Sequence, residues 1–224
     1  MPSSRAARIA LLAVAVLLGL LILCQFVLPP LAERSIRGKV DDVATVEDVE
    51  VKAFPAVKLL WKHADKAEVR LGEVRASTAK FADLVDEASG VKEVDVTADR
   101  AQIGDAQLTR AEFHKDGDDL VGTGFMSEDA ILAALPLGFR VKPVRTDNGQ
   151  LIVRGSPGIL GGAVGVEGRV VTQDGAIIVN PENIPLVGGL VDYTVFTDSR
   201  ISVDSVTART IGRNYLITAR GKLN

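Results

Sequence analysis

The side chains that most often carry chemistry are few in this chain of 224 residues, and they are not grouped. The two histidines, His63 and His114, have no second histidine or cysteine at metal-ligand spacing, and Cys24 is the only cysteine. A protein zinc site needs three or four nitrogen or sulfur ligands around one ion. The sequence therefore predicts no metal site, no bound cofactor and no internal disulfide.

Three short motifs resemble catalytic or binding loops but lack parts that the chemistry needs. The run DGDD from Asp116 has neither the further alternating oxygens nor the closing glutamate of a calcium loop. The run RGSPG around Ser156 departs from the G-x-S-x-G pattern of a nucleophile elbow. The run GILGGAVG, residues 158–165, lacks the strand-then-helix context of a phosphate-binding loop. We therefore expect no catalytic residues and a protein that is not an enzyme.

The bulk composition is that of a globular protein without a nucleic-acid partner. Hydrophobic residues make up 47% of the chain and charged residues 25%, which is typical of folded domains. The net charge of -3 indicates no basic surface for phosphates, and aromatic residues at 4% provide few platforms for stacked bases. The composition therefore argues against binding to nucleic acid.

The N-terminal segment has the length and composition of a membrane span. Between residues 9 and 28 only Gln25 is clearly polar. Twenty helical residues cover about 30 Å, the thickness of the hydrocarbon core of a bilayer. Arg5 and Arg8 precede the apolar run, so the positive-inside rule places the N-terminus in the cytoplasm. The predicted organisation is a cytoplasmic tail (1–8), a transmembrane signal anchor (9–28) and an extracytoplasmic domain (31–224).

Two other fates of this segment fit less well than an uncleaved anchor. Cleavage by signal peptidase favours a shorter apolar region and an A-x-A-like site, which QFVLPPLAER does not contain. Lipidation of Cys24 would favour a small residue before it, and Leu23 is bulky. The prediction is therefore a single-pass protein of the cell membrane. Pro29 and Pro30 would mark the membrane exit, with a new helix beginning near Leu31.

Apolar residues change between two spacings along the rest of the chain. In VEDVEVKAF and KAEVRLGEVRAS they alternate with charged residues, which predicts two strands. In FADLVDEASG they recur at helical spacing, with Phe81, Leu84, Val85 and Ala88 on one face. A second, shorter helix is predicted in SEDAILAALP, where Ser127 is a suitable N-cap.

The C-terminal part of the chain contains three predicted β-hairpins. Their turns lie at Asn148-Gly149, at Asp174-Gly175 and at residues 212–214. The flanking residues alternate between β-branched and polar types, which predicts one apolar and one wet face. Because the apolar face needs a cover, the predicted fold class is α+β. We expect a curved antiparallel β-sheet wrapped on one or two helices and preceded by the N-terminal transmembrane helix.

Four short segments are more apolar than their surroundings: AVKLLW, ILAALPLGF, SPGILGGAVG and IPLVGGLV. The last two have the glycine and proline content of loops, and apolar loops are typical of core plugs, membrane contacts or ligand cavities. A lipid would need an apolar slot with a few arginine or lysine donors at its mouth. Ordinary core packing is the alternative role for the residues predicted to line the slot: Leu59, Leu60, Trp61, Phe81, Leu84, Val85, Ile131, Leu135 and Phe139.

This layout resembles the LmeA-like family of actinobacterial envelope phospholipid-binding proteins. The features that match are the apolar export segment followed by LPPLAERSIRGKV, and the Phe-Pro element in VEVKAFPAVKLLW followed by KAEVRLGEVRAS. The C-terminal RISVDSVTARTIGRNYLITARGKL looks like the terminal strand pair of the family. The resemblance implies phospholipid binding, a β-sheet curled around helix, and an extracytoplasmic site linked to envelope lipid or lipoglycan metabolism.

The leading hypothesis is therefore a membrane-anchored, non-enzymatic module whose partners are a phospholipid or other membrane lipid and the membrane itself. Two alternatives remain open at this level. One is a structural or interaction domain that binds another envelope protein. The other is an enzyme acting on a lipid-linked sugar, which would need a carboxylate pair that the sequence does not reveal.

Overall fold

The computed structural model describes residues 24–25, 27–133, 139–157, 166–182 and 193–224. Helix α1 covers residues 27–40, and residues 24–25 are also helical. The other helices are α2 (Thr78–Glu87), α3 (Glu128–Ala133) and two short 3-10 helices, Ala56–Trp61 and Ala88–Gly90. The strands are β1 (Ala44–Lys52), β2 (Ala64–Ala76), β3 (Val91–Ile103), β4 (Ala106–Asp116), β5 (Asp119–Ser127), β6 (Phe139–Asp147), β7 (Gln150–Pro157), β8 (Val166–Gln173), β9 (Ala176–Glu182), β10 (Tyr193–Phe196), β11 (Ile201–Ile211) and β12 (Asn214–Leu223).

These strands form two sheets, which corrects the prediction of a single antiparallel sheet. The first sheet has seven strands in the order β1-β2-β3-β4-β5-β12-β11, and the second has five in the order β10-β9-β8-β7-β6. Strands β2 and β3 are parallel, whereas the other neighbouring pairs in both sheets are antiparallel. A parallel pair needs a crossover connection, and α2 provides it. The β-rich α+β architecture itself is as predicted.

Local sequence chemistry fixes two hairpin turns and the start of helix α3 where the sequence predicted them. Asn148 and Asp174 have φ angles of 49° and 50°, and Gly149 and Gly175 have φ angles of 79° and 75°. Two successive left-handed residues define the type I′ turn, which matches the twist of a hairpin. Helix α3 begins as predicted, because the Ser127 hydroxyl accepts a hydrogen bond of 3.1 Å from the Ala130 N–H.

The start of the N-terminal helix differs from the prediction. Helical structure runs through Pro29 and Pro30 rather than beginning near Leu31. The side chain of Gln25 explains why the folded part starts earlier. Its Nε2 donates to the Ala53 carbonyl at 3.1 Å, and its Oε1 accepts from the Ala56 N–H at 3.0 Å. The polar residue that interrupts the apolar run is therefore bonded to the connection between β1 and β2.

The described residues contain no helix with both the length and the apolar character needed to cross a bilayer. Residues 9–23 of the predicted span lie outside the described residues. The two glycine-containing apolar segments predicted to be loops, residues 158–165 and 184–191, also lie outside them.

Three apolar clusters form the described core, and each lies under one helix. The α1 cluster joins Ala32, Ile36 and Val40 to strands β1, β2 and β3. The α2 cluster joins Ala82 and Val85 to β5 and β11. The α3 cluster connects the two sheets and contains the buried residues Met126, Ala130, Ile131, Leu151, Val153 and Ala208.

The second sheet meets the first along strand β11. The Ala208 N–H donates to the Gly149 carbonyl at 2.6 Å, and the Val203 N–H donates to the Gly175 carbonyl at 2.9 Å. The turns of the two hairpins, β6–β7 and β8–β9, thus satisfy edge donors of the first sheet. An uncovered edge would leave these N–H groups free to pair with another chain. This junction fixes the α3 cluster between the sheets.

Gly90 gives a stability prediction, because the backbone passes close to it. A Cβ atom at this position would lie 2.3 Å from the Lys62 carbonyl oxygen, so Gly90→Ala should lower the free energy of unfolding by about 1–3 kcal/mol. Gly38 in α1 is the matched control, since outside the backbone of its own helix no described atom lies within 4 Å of its Cβ position. Gly38→Ala should raise stability by about 0.5–1 kcal/mol, the usual gain in a helix. Thermal unfolding followed by circular dichroism checks both, and equal melting temperatures for the two variants would refute the prediction.

Candidate functional site

A cavity of about 470 Å³ lies where strands β2 to β5 meet the start of α3. Its volume falls within the range of about 300–1,000 Å³ that is usual for ligand pockets. The apolar part of its lining comes from four strands and one helix: Val74, Ala101, Leu108, Phe125 and Ala130. Leu108 also packs against both the α1 and the α3 clusters. The cavity therefore lies between two parts of the core.

The polar part of the lining includes two exposed arginines held by one carboxylate. Arg75 Nη2 lies 2.7 Å from Glu73 Oε1, and Arg100 Nη2 lies 3.9 Å from Glu73 Oε2. The hydrogen bond from Arg75 and the positive charge of the same guanidinium lower the pKa of the Glu73 carboxyl, with a smaller contribution from the charge of Arg100. The arginine side chains are 73% and 72% exposed, so both can reach a ligand that enters from solvent. We call the exposed arginine side the mouth of the cavity and its five apolar residues the apolar wall; polar groups make up the larger part of the lining.

A second cavity of about 470 Å³ shares Glu73 and Arg100 with the first. It is more open, and Thr45, Gly72 and Asp99 complete its lining. A Cβ atom at Gly72 would lie 3.2 Å from Glu47 Oε1, so the glycine keeps space free there. Glu73 and Arg100 thus line both cavities, which lie next to each other on the seven-stranded sheet.

A β-bulge adds a third guanidinium to this region. The register between β4 and β5 shifts between Thr109 and Glu112, and Arg110 within the shift has a φ angle of 49°. Bulges of this kind redirect a side chain. The Arg110 guanidinium carbon lies 4.1 Å from the centre of the Phe125 ring, which lines the cavity. A cation over an aromatic face is an attractive contact.

The residues that the sequence singled out are distributed over several parts of the fold. Leu59 packs in the α1 cluster, Phe81 and Val85 in the α2 cluster, and Ile131 in the α3 cluster. Leu84 is half-buried on α2. Leu60 and Trp61 are exposed by 61% and 66% on the 3-10 helix. Phe139 is the first residue of β6, and Leu135 lies outside the described residues.

Sequence reasoning did not identify the residues that line the two cavities. Among the residues whose side chains the structure describes, none of those predicted to line a slot belongs to either lining. The missed residues include Glu73, Arg75, Arg100 and Phe125. Glu73 and Arg75 are close in sequence, whereas Arg100 and Phe125 each follow the preceding one of these residues by 25 positions. The cavity lining contains arginines, but no local pattern in the sequence marks which arginines these are.

Among the residues that the structure describes, the geometry offers no arrangement of metal ligands. In the described part of the chain no group of three or more histidine, cysteine, aspartate or glutamate side chains could hold an ion. What the fold and the cavity define is a β-rich domain with an amphipathic cavity.

Comparison with protein families identifies the group of proteins to which this domain belongs. The model of the LmeA-like phospholipid-binding family matches residues 25–211. The chain belongs to this family, which confirms the resemblance found in the sequence and supports a lipid-binding role. The match begins at Gln25, whose side chain bonds to Ala53 and Ala56. Comparisons with curated proteins and with solved structures gave no significant match.

Proposed function

We propose that this protein is a membrane-anchored, non-enzymatic phospholipid-binding protein of the bacterial cell envelope. The observation that carries the proposal is the family match over residues 25–211. The cavity is consistent with it, because an apolar wall of five residues adjoins a mouth with arginine donors. A phospholipid combines these two requirements in one molecule, namely acyl chains and a charged phosphate.

In this proposal the phosphate binds Arg75 and Arg100, and the acyl chains lie along the apolar wall. Glu73 already orients the Arg75 guanidinium through contacts of 2.7 and 2.9 Å, so less side-chain order is lost there when a ligand arrives. Arg100, at 3.9 Å from Glu73, is paired only loosely. A phosphate would compete with the Glu73 carboxylate for the same N–H donors. Glu73 therefore weakens the binding of an anionic headgroup. When no ligand is bound, its carboxylate pairs with the two arginines.

The membrane anchor supports the same function from the sequence side. Residues 9–28 are apolar apart from Gln25, and Arg5 and Arg8 favour a cytoplasmic N-terminus. The folded domain would then lie outside the cytoplasm, close to its lipid ligand. A role in envelope lipid or lipoglycan metabolism follows from the actinobacterial family that the sequence resembles.

Glu73→Gln provides a test of the proposal that should strengthen binding. Titration of the full chain in non-ionic detergent with phosphatidylglycerol should show saturable binding. Because Glu73→Gln removes the competing charge, its affinity should be about threefold to tenfold higher. Glu112→Gln, on an exposed site of β4 outside both cavity linings, is the matched control and should leave the affinity unchanged. Absence of saturable binding, or equal affinities for the two variants, would contradict the proposal.

A further inference from the structure

Five large apolar side chains are exposed around the connection between β1 and β2. Phe54 is 77% exposed, Leu60 61% and Trp61 66%. On α1, one helical turn apart, Val27 is 47% exposed and Leu31 is 51% exposed. We call these five residues the apolar patch. Single exposed apolar residues are normal, but a group of five at one place needs an explanation.

Three hydrogen bonds join the N-terminal helix, which carries Val27 and Leu31, to the chain segment around Phe54. Gln25 bonds to Ala53 and Ala56, as described above. Eight residues further along, the Glu33 carboxylate accepts a bond of 3.4 Å from the Val51 N–H. The stretch of helix that carries Val27 and Leu31 therefore runs along the chain segment that precedes the 3-10 helix.

The composition of the apolar patch fits the boundary between lipid and water. Tryptophan is enriched at that boundary because its ring is apolar and its N–H is polar. Two basic residues accompany the patch in the sequence: Lys62 ends the 3-10 helix, and Lys58 lies within it and is paired with Asp65 at 3.0 Å. Lysines next to exposed tryptophan, phenylalanine and leucine are typical of segments that enter an anionic membrane surface.

The position of the apolar patch along the chain identifies its occupant as a bilayer. The run of residues 9–24 contains no charged side chain, and it leads directly into Gln25. The residue that joins this run to the domain is thus the residue bonded to the connection that carries Phe54. A partner protein would not account for this continuity.

We propose that the apolar patch inserts into the interfacial region of the bilayer. This inference rests on the membrane anchoring in the proposed function, and it adds a second attachment that fixes the orientation of the domain. With the anchor alone the domain could rotate about its joint. With the patch inserted, the 3-10 helix faces the lipid and the domain keeps one orientation at the membrane surface.

Trp61 is the only tryptophan in the chain, so its fluorescence reports on the patch directly. The full chain is reconstituted into phosphatidylcholine–phosphatidylglycerol vesicles that contain phospholipids brominated at defined acyl positions. We expect bromine to quench Trp61, most strongly when it is attached near the glycerol end of the acyl chain. The matched reporter is Trp61→Phe with Ile211→Trp, because Ile211 is also exposed (40%) but lies at the end of β11. Its fluorescence should be quenched much less.

A double variant tests the contribution of the remaining patch residues. Leu31→Glu with Phe54→Glu places two charges in the patch and should reduce the quenching of Trp61 by at least half. Circular dichroism checks that the double variant folds. If it does not fold, the comparison of wild-type Trp61 with the Ile211→Trp reporter still tests the proposal. Quenching of Trp61 no greater than that of the Ile211→Trp reporter would overturn the proposal.

The outcome can be separated from that of the proposed function. Phosphatidylglycerol binding by the cavity is measured in detergent, where no bilayer is present. Quenched Trp61 without cavity binding would overturn the proposed phospholipid binding and support the membrane contact. Cavity binding with unquenched Trp61 would support the proposed phospholipid binding and overturn the proposed membrane contact.

Discussion

Reversing both charges at the mouth of the cavity, by Arg75→Glu with Arg100→Glu, is expected to weaken phosphatidylglycerol binding by about 100-fold or more. Each arginine can donate charge-assisted hydrogen bonds to the phosphate, and the loss of one such contact usually costs about tenfold or more in affinity. The glutamates would also repel the phosphate. Because both positions are more than 70% exposed, the fold should be retained. Titration in detergent measures the affinity.

The matched control for this variant changes the net charge by the same amount elsewhere. Arg70 on β2 and Arg209 on β11 are exposed, belong to the same sheet and line neither cavity. Arg70→Glu with Arg209→Glu should leave the affinity within about twofold, since exposed charges at a distance are screened by salt. Equal loss in both double variants would mean that binding depends on total charge and not on this site.

Ile131→Ala is expected to cost about 2–4 kcal/mol of unfolding free energy, which is the usual range for a buried isoleucine. Ile131 is 4% exposed and packs in the α3 cluster between the two sheets. For a domain of this size the melting temperature should fall by about 5–15 °C. Thermal unfolding of the full chain in detergent measures it.

The same variant separates packing from ligand contact at a residue that the sequence assigned to the lipid slot. Ile211→Ala is the control, because an exposed isoleucine should contribute less than about 0.5 kcal/mol. An Ile131→Ala variant with unchanged stability but weaker phospholipid binding would show that Ile131 contacts the ligand instead of filling the core.

Features that depend on neighbouring residues were predictable from the sequence. The dipeptides Asn148-Gly149 and Asp174-Gly175 adopt left-handed conformations because asparagine, aspartate and glycine tolerate them. Ser127 caps α3 through a bond to a residue three positions later. Such turns and caps are determined by a few adjacent residues, so the local sequence is enough to predict them.

Features that depend on distant strands were not predictable. Alternating apolar residues predict strands β2 and β3 but do not say that they run parallel. The edge of β11 is covered by Gly149 and Gly175, which are more than 25 residues before the donors that they bind. The bulge at Arg110 contains no glycine or asparagine that would have marked it. The strand direction, the cover of the β11 edge and the bulge are therefore determined by tertiary packing and not by local sequence.

The predicted slot residues show the same limit at the level of the site. Phe81 and Val85 have the helical spacing of an apolar face, and core packing and ligand contact require the same residue types. The structure places both in the α2 cluster. The cavity is lined instead by strand residues with mixed polarity, such as Gln102 and Thr109. A lining of this kind has no apolar periodicity that would distinguish it from an ordinary exposed strand.

The most direct test of the central claim is to map where a phospholipid contacts the protein. A phospholipid with a photoreactive group in its acyl chain is crosslinked to the full chain in vesicles, and the modified peptides are identified by mass spectrometry. Binding in the cavity predicts crosslinks within residues 73–75, 100–109 and 125–130, and Arg75→Glu with Arg100→Glu should remove them. Crosslinks confined to the N-terminal segment and the apolar patch, with none in these three stretches, would contradict the claim.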